Sequence, residues 1–417
     1  MTLRRRRSAL AKDLKKLQAK LGLATLSGGR IARFGKYSSF FTIVSVSTER
    51  QGGIMTKLRN YKIVSVLAVS ALVAAVQPGY AGTIVYDNFQ APGGYTLADY
   101  YAKWSTPYGL GEMAVNDTRN FVGGKFNISA APFKTSYDYS VYDHLKYISA
   151  SNSSFAVPQK GSLTFSTTIQ AQTPGVQDGR IINGTYIQSG APYSAPTFAS
   201  QQAAAVMNMI DFSTGQLFDI FISGNQAMTL YERLPSAVVN PSLNPGDPGY
   251  VGIGDIYTQI AKVANGIGGG PHQVSIRYSH DGALSGVDYY LDGSLLTHIG
   301  NIGIPLDAQG VPFTGTYPSY GPGEPLATDI QNFAIGFGLF SVVDSFPFQL
   351  SERPDLAVSV PIANRIFGQG AIASFGSFEV TTTSVPEPGT WSMMLAGFGA
   401  LGWIERRRRA GLQSGRA

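Results

Sequence analysis

The 417-residue chain has no cysteine, which removes disulfide frameworks, thiolate metal sites and cysteine nucleophiles together. It has only four histidines, His144, His272, His280 and His298. None shows a His-x-His or His-Glu-x-x-His spacing, so no zinc site is expected and the four read as lone surface residues. No Gly-x-Ser-x-Gly occurs in 82–384, so a serine nucleophile elbow is missing too. Charged residues make up just 14% of the sequence. Gly, Pro, Ser, Thr and Tyr crowd out the strong helix formers, which argues against a helical bundle. Disorder is opposed from the other side, because a 44% hydrophobic content leaves ample apolar surface to bury. A β-rich globular protein remains.

The net charge of +6 is unevenly spread. Residues 1–54 carry 12 Lys/Arg against 2 Asp/Glu, 55–81 carry three cations, and 385–417 carry five Arg against two Glu. That leaves 82–384 with 12 basic and 22 acidic residues, a balance of −10. A body so charged repels phosphate backbones, and nucleic acid is not an expected partner.

The basic segment Met55 to Lys62 precedes Ile63–Val76, fourteen uncharged apolar residues, and then Gly79-Tyr80-Ala81 with small residues at −3 and −1. This is the pattern of a secretory signal peptide over 55–81, cut after Ala81. Fourteen residues span only about 21 Å as a helix, short of the roughly 30 Å hydrocarbon core. Residues 1–54, with Arg4 to Arg7, read either as a basic extension, disordered or a helical arm, begun at Met1, or, the favoured reading, as untranslated sequence ahead of a start at Met55, and are set aside. At the other end, Val385-Pro386-Glu387-Pro388-Gly389-Thr390 leads into the apolar segment 391–404. Glu405 and then Arg406, Arg407, Arg408 and Arg409 close it. The order is rigid polar punctuation, short membrane-dwelling segment, positive stop. It resembles the PEP-CTERM sorting tail of exopolysaccharide-producing Gram-negative bacteria. Pro386, Glu387 and Pro388 match the tripeptide, and the arginines match the terminal cluster. The resemblance implies recognition by an exosortase-type membrane protease after passage through the secretion machinery. It places the body outside the inner membrane, in the envelope, on the outer surface or in the extracellular matrix.

Within the body, short β-rich runs are bounded by turn residues. Strands are expected at Thr83–Phe89, Ser162–Gln170, Val206–Phe212, Leu217–Ser223, Val274–Ser279, Val287–Leu291, Leu295–Ile299, Phe333–Val343 and Ile372–Val380. Asp292-Gly293 suits a two-residue hairpin turn, since both positions tolerate positive φ. Only Thr197–Met209 looks helical. The stretches 171–200, 235–271 and 303–330 read as long loops. Asn-x-Ser/Thr sequons at Asn116, Asn127, Asn152 and Asn183 read as turn composition. Many strands without intervening helices predict an all-β fold, an antiparallel sandwich or barrel occupying 82–384.

Tyr289-Tyr290-Leu291-Asp292-Gly293 followed by Leu295-Leu296 resembles the hairpin of concanavalin-like jelly rolls. Ser374 to Val380 suits the last strand of such a sandwich, pairing near the first strand at Tyr86 to Phe89. Asn208 to Pro235 is similar to an uncharacterised secreted bacterial family sharing that sandwich, and this resemblance implies a fold without an activity. Laminarinase- and lichenase-type relatives carry Glu-x-Asp-x-x-Glu on one strand, which sets acid and nucleophile on one face. Here the body glutamates are Glu112, Glu232, Glu324, Glu352 and Glu379, and none has Asp two residues on.

Asp211 and Asp219 across a hairpin, with Glu232 following, form the only carboxylate set with acid–base potential. The structural alternative is that Asp211 starts a turn and Glu232 pairs with Arg233 or another cation. No cofactor is required by any motif. Calcium is a candidate through Asp87, Asn88, Asp288 and Asp292, oxygen donors without a calcium-loop motif. Tyr193, Tyr250, Tyr317 and Tyr320 lie in the long loops, where they could stack on sugars or simply pack. The expected function is non-enzymatic: polysaccharide binding or a structural matrix role. A glycan-active hydrolase or lyase, and a calcium-dependent adhesin, are the alternatives.

Overall fold

The computed structural model describes residues 81–105, 117–135, 143–281, 284–311, 319–345 and 354–384, with Phe398, Trp403 and Arg406 in the tail. The expectations for the basic extension, the signal segment before Ala81, the Pro386-Glu387-Pro388 tripeptide and Tyr317 lie outside these residues.

The strands are, in order, β1 Ala81–Asp87, β2 Trp104–Ser105, β3 Thr118–Val122, β4 Lys125–Ala130, β5 Leu145–Ala156 and β6 Lys160–Gln172. Next come β7 Arg180–Tyr186, β8 Pro192–Thr197, β9 Ala204–Ile210, β10 Gln216–Ser223, β11 Gln226–Arg233, β12 Tyr257–Asn265 and β13 His272–Asp281. The last are β14 Leu284–Leu291, β15 Ser294–Gly300, β16 Asn332–Phe340, β17 Val358–Ser359, β18 Ala371–Phe375 and β19 Phe378–Ser384. Helices are short: α1 Leu97–Lys103, α2 Ala199–Gln202, α3 Ser236–Val239 and α4 Ile362–Arg365. α1 is started by a capping box, in which Thr96 and Asp99 bond each other's backbone N–H.

A nine-stranded sheet runs β15-β14-β13-β6-β18-β4-β3, with β19 also on β6 and β1 on β19. A seven-stranded sheet runs β12-β11-β10-β9-β16-β5-β2, and β17-β7-β8 form a small third sheet. Every pairing is antiparallel. Period-two alternation makes the two large sheets face one another. β6 turns Leu163, Phe165, Ile169 and Ala171 inward, and β10 answers with Phe218, Ile220 and Ile222, all in one continuous core. Trp104, Phe126, Tyr147, Phe337, Phe375 and Phe378 build its aromatic centre, with Trp104 edge-on to Phe337 at 4.8 Å. The expected all-β antiparallel jelly-roll sandwich is what the chain forms.

Asp292 and Gly293 adopt φ of 50° and 78°, the left-handed pair expected of this hairpin turn. β19 pairs with β1 as expected, with Asp87 opposite Phe378. Five expectations need correction. Ile372–Val380 is two strands, broken where Gly376 donates to Thr168 O and accepts from Thr167 Oγ1. This jog lets β18 continue onto β4 and β19 onto β1. The helix expected over Thr197–Met209 is the single turn α2, because Ala204 onward is drawn into the sheet between β10 and β16. The loops 171–200 and 235–271 contain β7, β8 and β12. The sequons at Asn127, Asn152 and Asn183 lie in β4, β5 and β7 rather than in turns. His272 and His280 are buried, and His272 Nδ1 bonds Asp292 at 2.8 Å, so they are not surface residues.

Candidate functional site

The outer face of the seven-stranded sheet is divided. At one end Val206, Phe221, Met228, Leu230, Ile260 and Phe340 form an apolar cluster against which Tyr193 and Phe198 pack. At the other end the same strands present Asn208, Asp219, Glu232 and Thr258. Register places Asn208 opposite Asp219, Leu217 opposite Glu232, and Glu232 opposite Thr258. Asp219 and Glu232 are therefore diagonal neighbours on one face. Asn208 donates an amide N–H to Asp219. Room for the Asn208 side chain comes from Gly336 on β16, where a Cβ would lie 2.8 Å from Asn208 Oδ1.

Asp219 is 1% exposed. Burial pushes its carboxyl up to about 7 against the favourable bond from Asn208. Burial, and then the charge of Asp219, hold Glu232 well above the usual carboxylate range. Among the described residues no cation pairs with either group. Arg233 points to the opposite side of β11 and binds Glu324 at 2.5 Å, so the expected pairing with Glu232 does not form. Burial keeps both carboxyls protonated to higher pH than usual, and such a pair, with no cation beside it among the described residues, can give and take a proton. Asp211 is not part of it. It accepts from Ser213 N at 2.9 Å and from Thr214 Oγ1 at 2.8 Å, tying the turn between β9 and β10. Burial raises its carboxyl despite these bonds.

The calcium candidates are separated and engaged. Asp87 accepts from Phe89 N, Tyr95 Oη, Lys103 Nζ and Trp104 Nε1, and Asn88 Oδ1 accepts from Gln90 N. Asp288 holds Arg277 and His298, and Asp292 holds His272 and Gln273 N. Among the described residues no group of three or more His, Asp or Glu is placed to hold a metal ion. Tyr193 packs edge-on against Tyr186 at 5.6 Å, and burial raises its phenol. Tyr250 and Tyr320 lie in two loops that touch where Tyr320 N donates to Ile256 O.

The nine-stranded sheet carries a second feature on its outer face. Lys125–Ala130 buries Phe126, Ile128 and Ala130 and turns Asn127 and Ser129 outward. β3, β18 and β6 do the same with Thr118 and Asn120, Ile372 and Ser374, and Gln170 and Gln172. Together they line a groove of about 300 Å³ with no charged side chain in it. Asn127 Nδ2 donates to Asn120 Oδ1 at 3.0 Å. This leaves Asn120 Nδ2 and Asn127 Oδ1 without a protein partner among the described residues. Ile372 is 42% exposed between the polar side chains. The sequence signal was the alternation in Lys125–Ala130, which a turn reading of Asn127 conceals.

A family described as "family of unknown function (DUF6081)" matches residues 113–384, and the PEP-CTERM protein-sorting motif matches 384–409. The motif marks an exported chain, handled by an exosortase and destined for the cell envelope or the extracellular space. No curated protein matches the chain. Similar solved structures include the endo-1,3-beta-glucanase of Streptomyces sioyaensis, 12% identical, with 74% of this chain and 97% of that chain covered and a TM-score of 0.35. Beta-agarase B of Zobellia galactanivorans is also 12% identical, with coverage of 74% and 95% and a TM-score of 0.36. A legume lectin-like domain from Entamoeba histolytica is 8% identical, with coverage of 73% and 99% and a TM-score of 0.31.

Proposed function

The chain belongs to the family of unknown function DUF6081 and carries a sorting tail that sends it to the envelope or beyond, and from that premise we propose that it binds polysaccharide there. The observation that carries this reading is the uncharged groove across β3, β4, β18 and β6. Its amides leave Asn120 Nδ2 as a donor and Asn127 Oδ1 as an acceptor side by side, which suits the hydroxyl pairs of a sugar. Ile372 among them offers apolar surface to the C–H face of a ring. Affinity electrophoresis of the full chain through gels containing different soluble polysaccharides tests the reading. Retardation is expected in a subset of gels and is expected to disappear in Ser374→Arg, which fills the groove from a half-buried position while the thermal melt is unchanged. Free migration in every gel sinks the reading.

One observation favours a second reading, cleavage of a glycosidic bond. Asp219 and Glu232 form a carboxyl pair with no cation beside it among the described residues, in which one group can stay protonated while the other ionises. Release of new reducing ends from a retained polysaccharide, lost in Asp219→Asn and in Glu232→Gln, supports it. Retention without release removes it.

A further inference from the structure

The register of the groove strands says more than that a ligand fits. Thr118 stands opposite Ser129, Ser129 opposite Ile372, and Ile372 opposite Gln172. The next row is Asn120, Asn127, Ser374 and Gln170, again one residue per strand. Two straight rows thus cross four strands. Neighbouring strands are about 4.8 Å apart, so each row is about 14 Å long, whereas the two rows are separated by only about 7 Å along the strands. The long axis of the polar surface is perpendicular to the strands. Its step is comparable with that from one pyranose ring to the next, and the separation of the rows is comparable with the width of a ring.

The chemistry of the rows is equally selective. None of the ten lining residues can be charged. A uronate or sulfate placed there would lose water without gaining a counter-charge, inside a body whose balance is −10. A neutral sugar loses only hydroxyl hydration, which Asn, Gln, Ser and Thr replace in kind.

Resting on the polysaccharide-binding reading, we infer that this groove takes a neutral, unbranched glycan laid across β3, β4, β18 and β6, with about one sugar per strand and the ring at β18 over Ile372. The assignment is tested with the full chain against soluble linear neutral polysaccharides (pullulan, mixed-linkage β-glucan) and acidic ones (alginate, polygalacturonate) at low and high salt, followed by oligosaccharides of increasing length from whichever is retained. Retention by a neutral glycan, unchanged by salt, is expected, with affinity rising until about four sugars and then levelling. Asn127→Asp, nearly isosteric but charged, and Gln170→Glu are each expected to weaken it on the order of tenfold, as the loss of one well-made hydrogen bond does. Two variants guard against one failing to fold, which circular dichroism melts report.

Retention by acidic polysaccharides alone, abolished by salt, overturns the neutral assignment and leaves polysaccharide binding standing. Neutral retention that neither variant alters moves binding away from this groove. Full affinity with a disaccharide overturns the cross-strand placement. Retention by none of them overturns the binding reading itself.

Discussion

Asp219 is an acid with no cation beside it among the described residues, and its position next to Asn208 and Glu232 has a thermodynamic consequence. Its ordinary value is 3.8, and the folded chain raises it to about 7. Between those values the folded state keeps a proton that the unfolded state has released. Stability therefore falls as pH rises from about 4 to about 7 and levels off above that. Glu232, displaced in the same direction, adds a decline of the same sign. Asp219→Asn removes the ionisation while keeping the shape. It is expected to flatten this part of the profile and to raise stability on the alkaline side by up to a few kcal/mol. Thermal unfolding of both proteins on either side of the window checks it, and parallel pH profiles would contradict the cation-free geometry. Asp219 and Glu232 were legible in the sequence as acids near a hairpin. Their company was not, because the bond from Asn208 and the space left by Gly336 depend on cross-strand register.

At the scale of elements, the legible parts are those whose signal is local. The β13–β14–β15 meander follows from strict alternation and from Asp292-Gly293. Two glycines show how different the demands of similar turns are. Gly293 and Gly215 have φ of 78° and 75°. Around Gly293 a Cβ would meet nothing within 4 Å, whereas at Gly215 it would lie 2.2 Å from Leu234 O. Gly293→Ala is thus expected to cost only the left-handed backbone term, about 1–2 kcal/mol. Gly215→Ala adds a clash with a backbone carbonyl and is expected to cost about 2–4 kcal/mol. Urea unfolding separates the two, and equal losses would mean that the turn at Gly215 relaxes freely. Elements held by distant partners were illegible. The packing of α4 depends on Arg365, which binds Asp344 at 2.6 Å beside buried Lys146, an ionic cluster assembled from three separate stretches of chain. β3 and β4 were missed because their outward residues are amides and hydroxyls, the composition of turns, and the same residues form the groove.

For the whole molecule, charge is the property that links destination to task. The 417-residue sequence is basic, at +6, only because its ends are; the sandwich region 82–384 stands at −10. If the signal segment and the tail are both removed during export, the protein that reaches the envelope or matrix is acidic. Isoelectric focusing of material recovered from that compartment is expected to show a more acidic species than a cytoplasmic precursor begun at Met55, whose balance is −4. The difference bears on ligand choice. An acidic body is repelled by acidic polysaccharides over roughly a Debye length, about 8 Å at physiological salt, and is indifferent to neutral ones. The uncharged groove then sits in a field that discourages the wrong ligand without weakening the right one. Mature material that focuses with the precursor would mean that the cationic ends persist and weaken this repulsion, and selectivity for neutral glycans would then rest more on the groove lining.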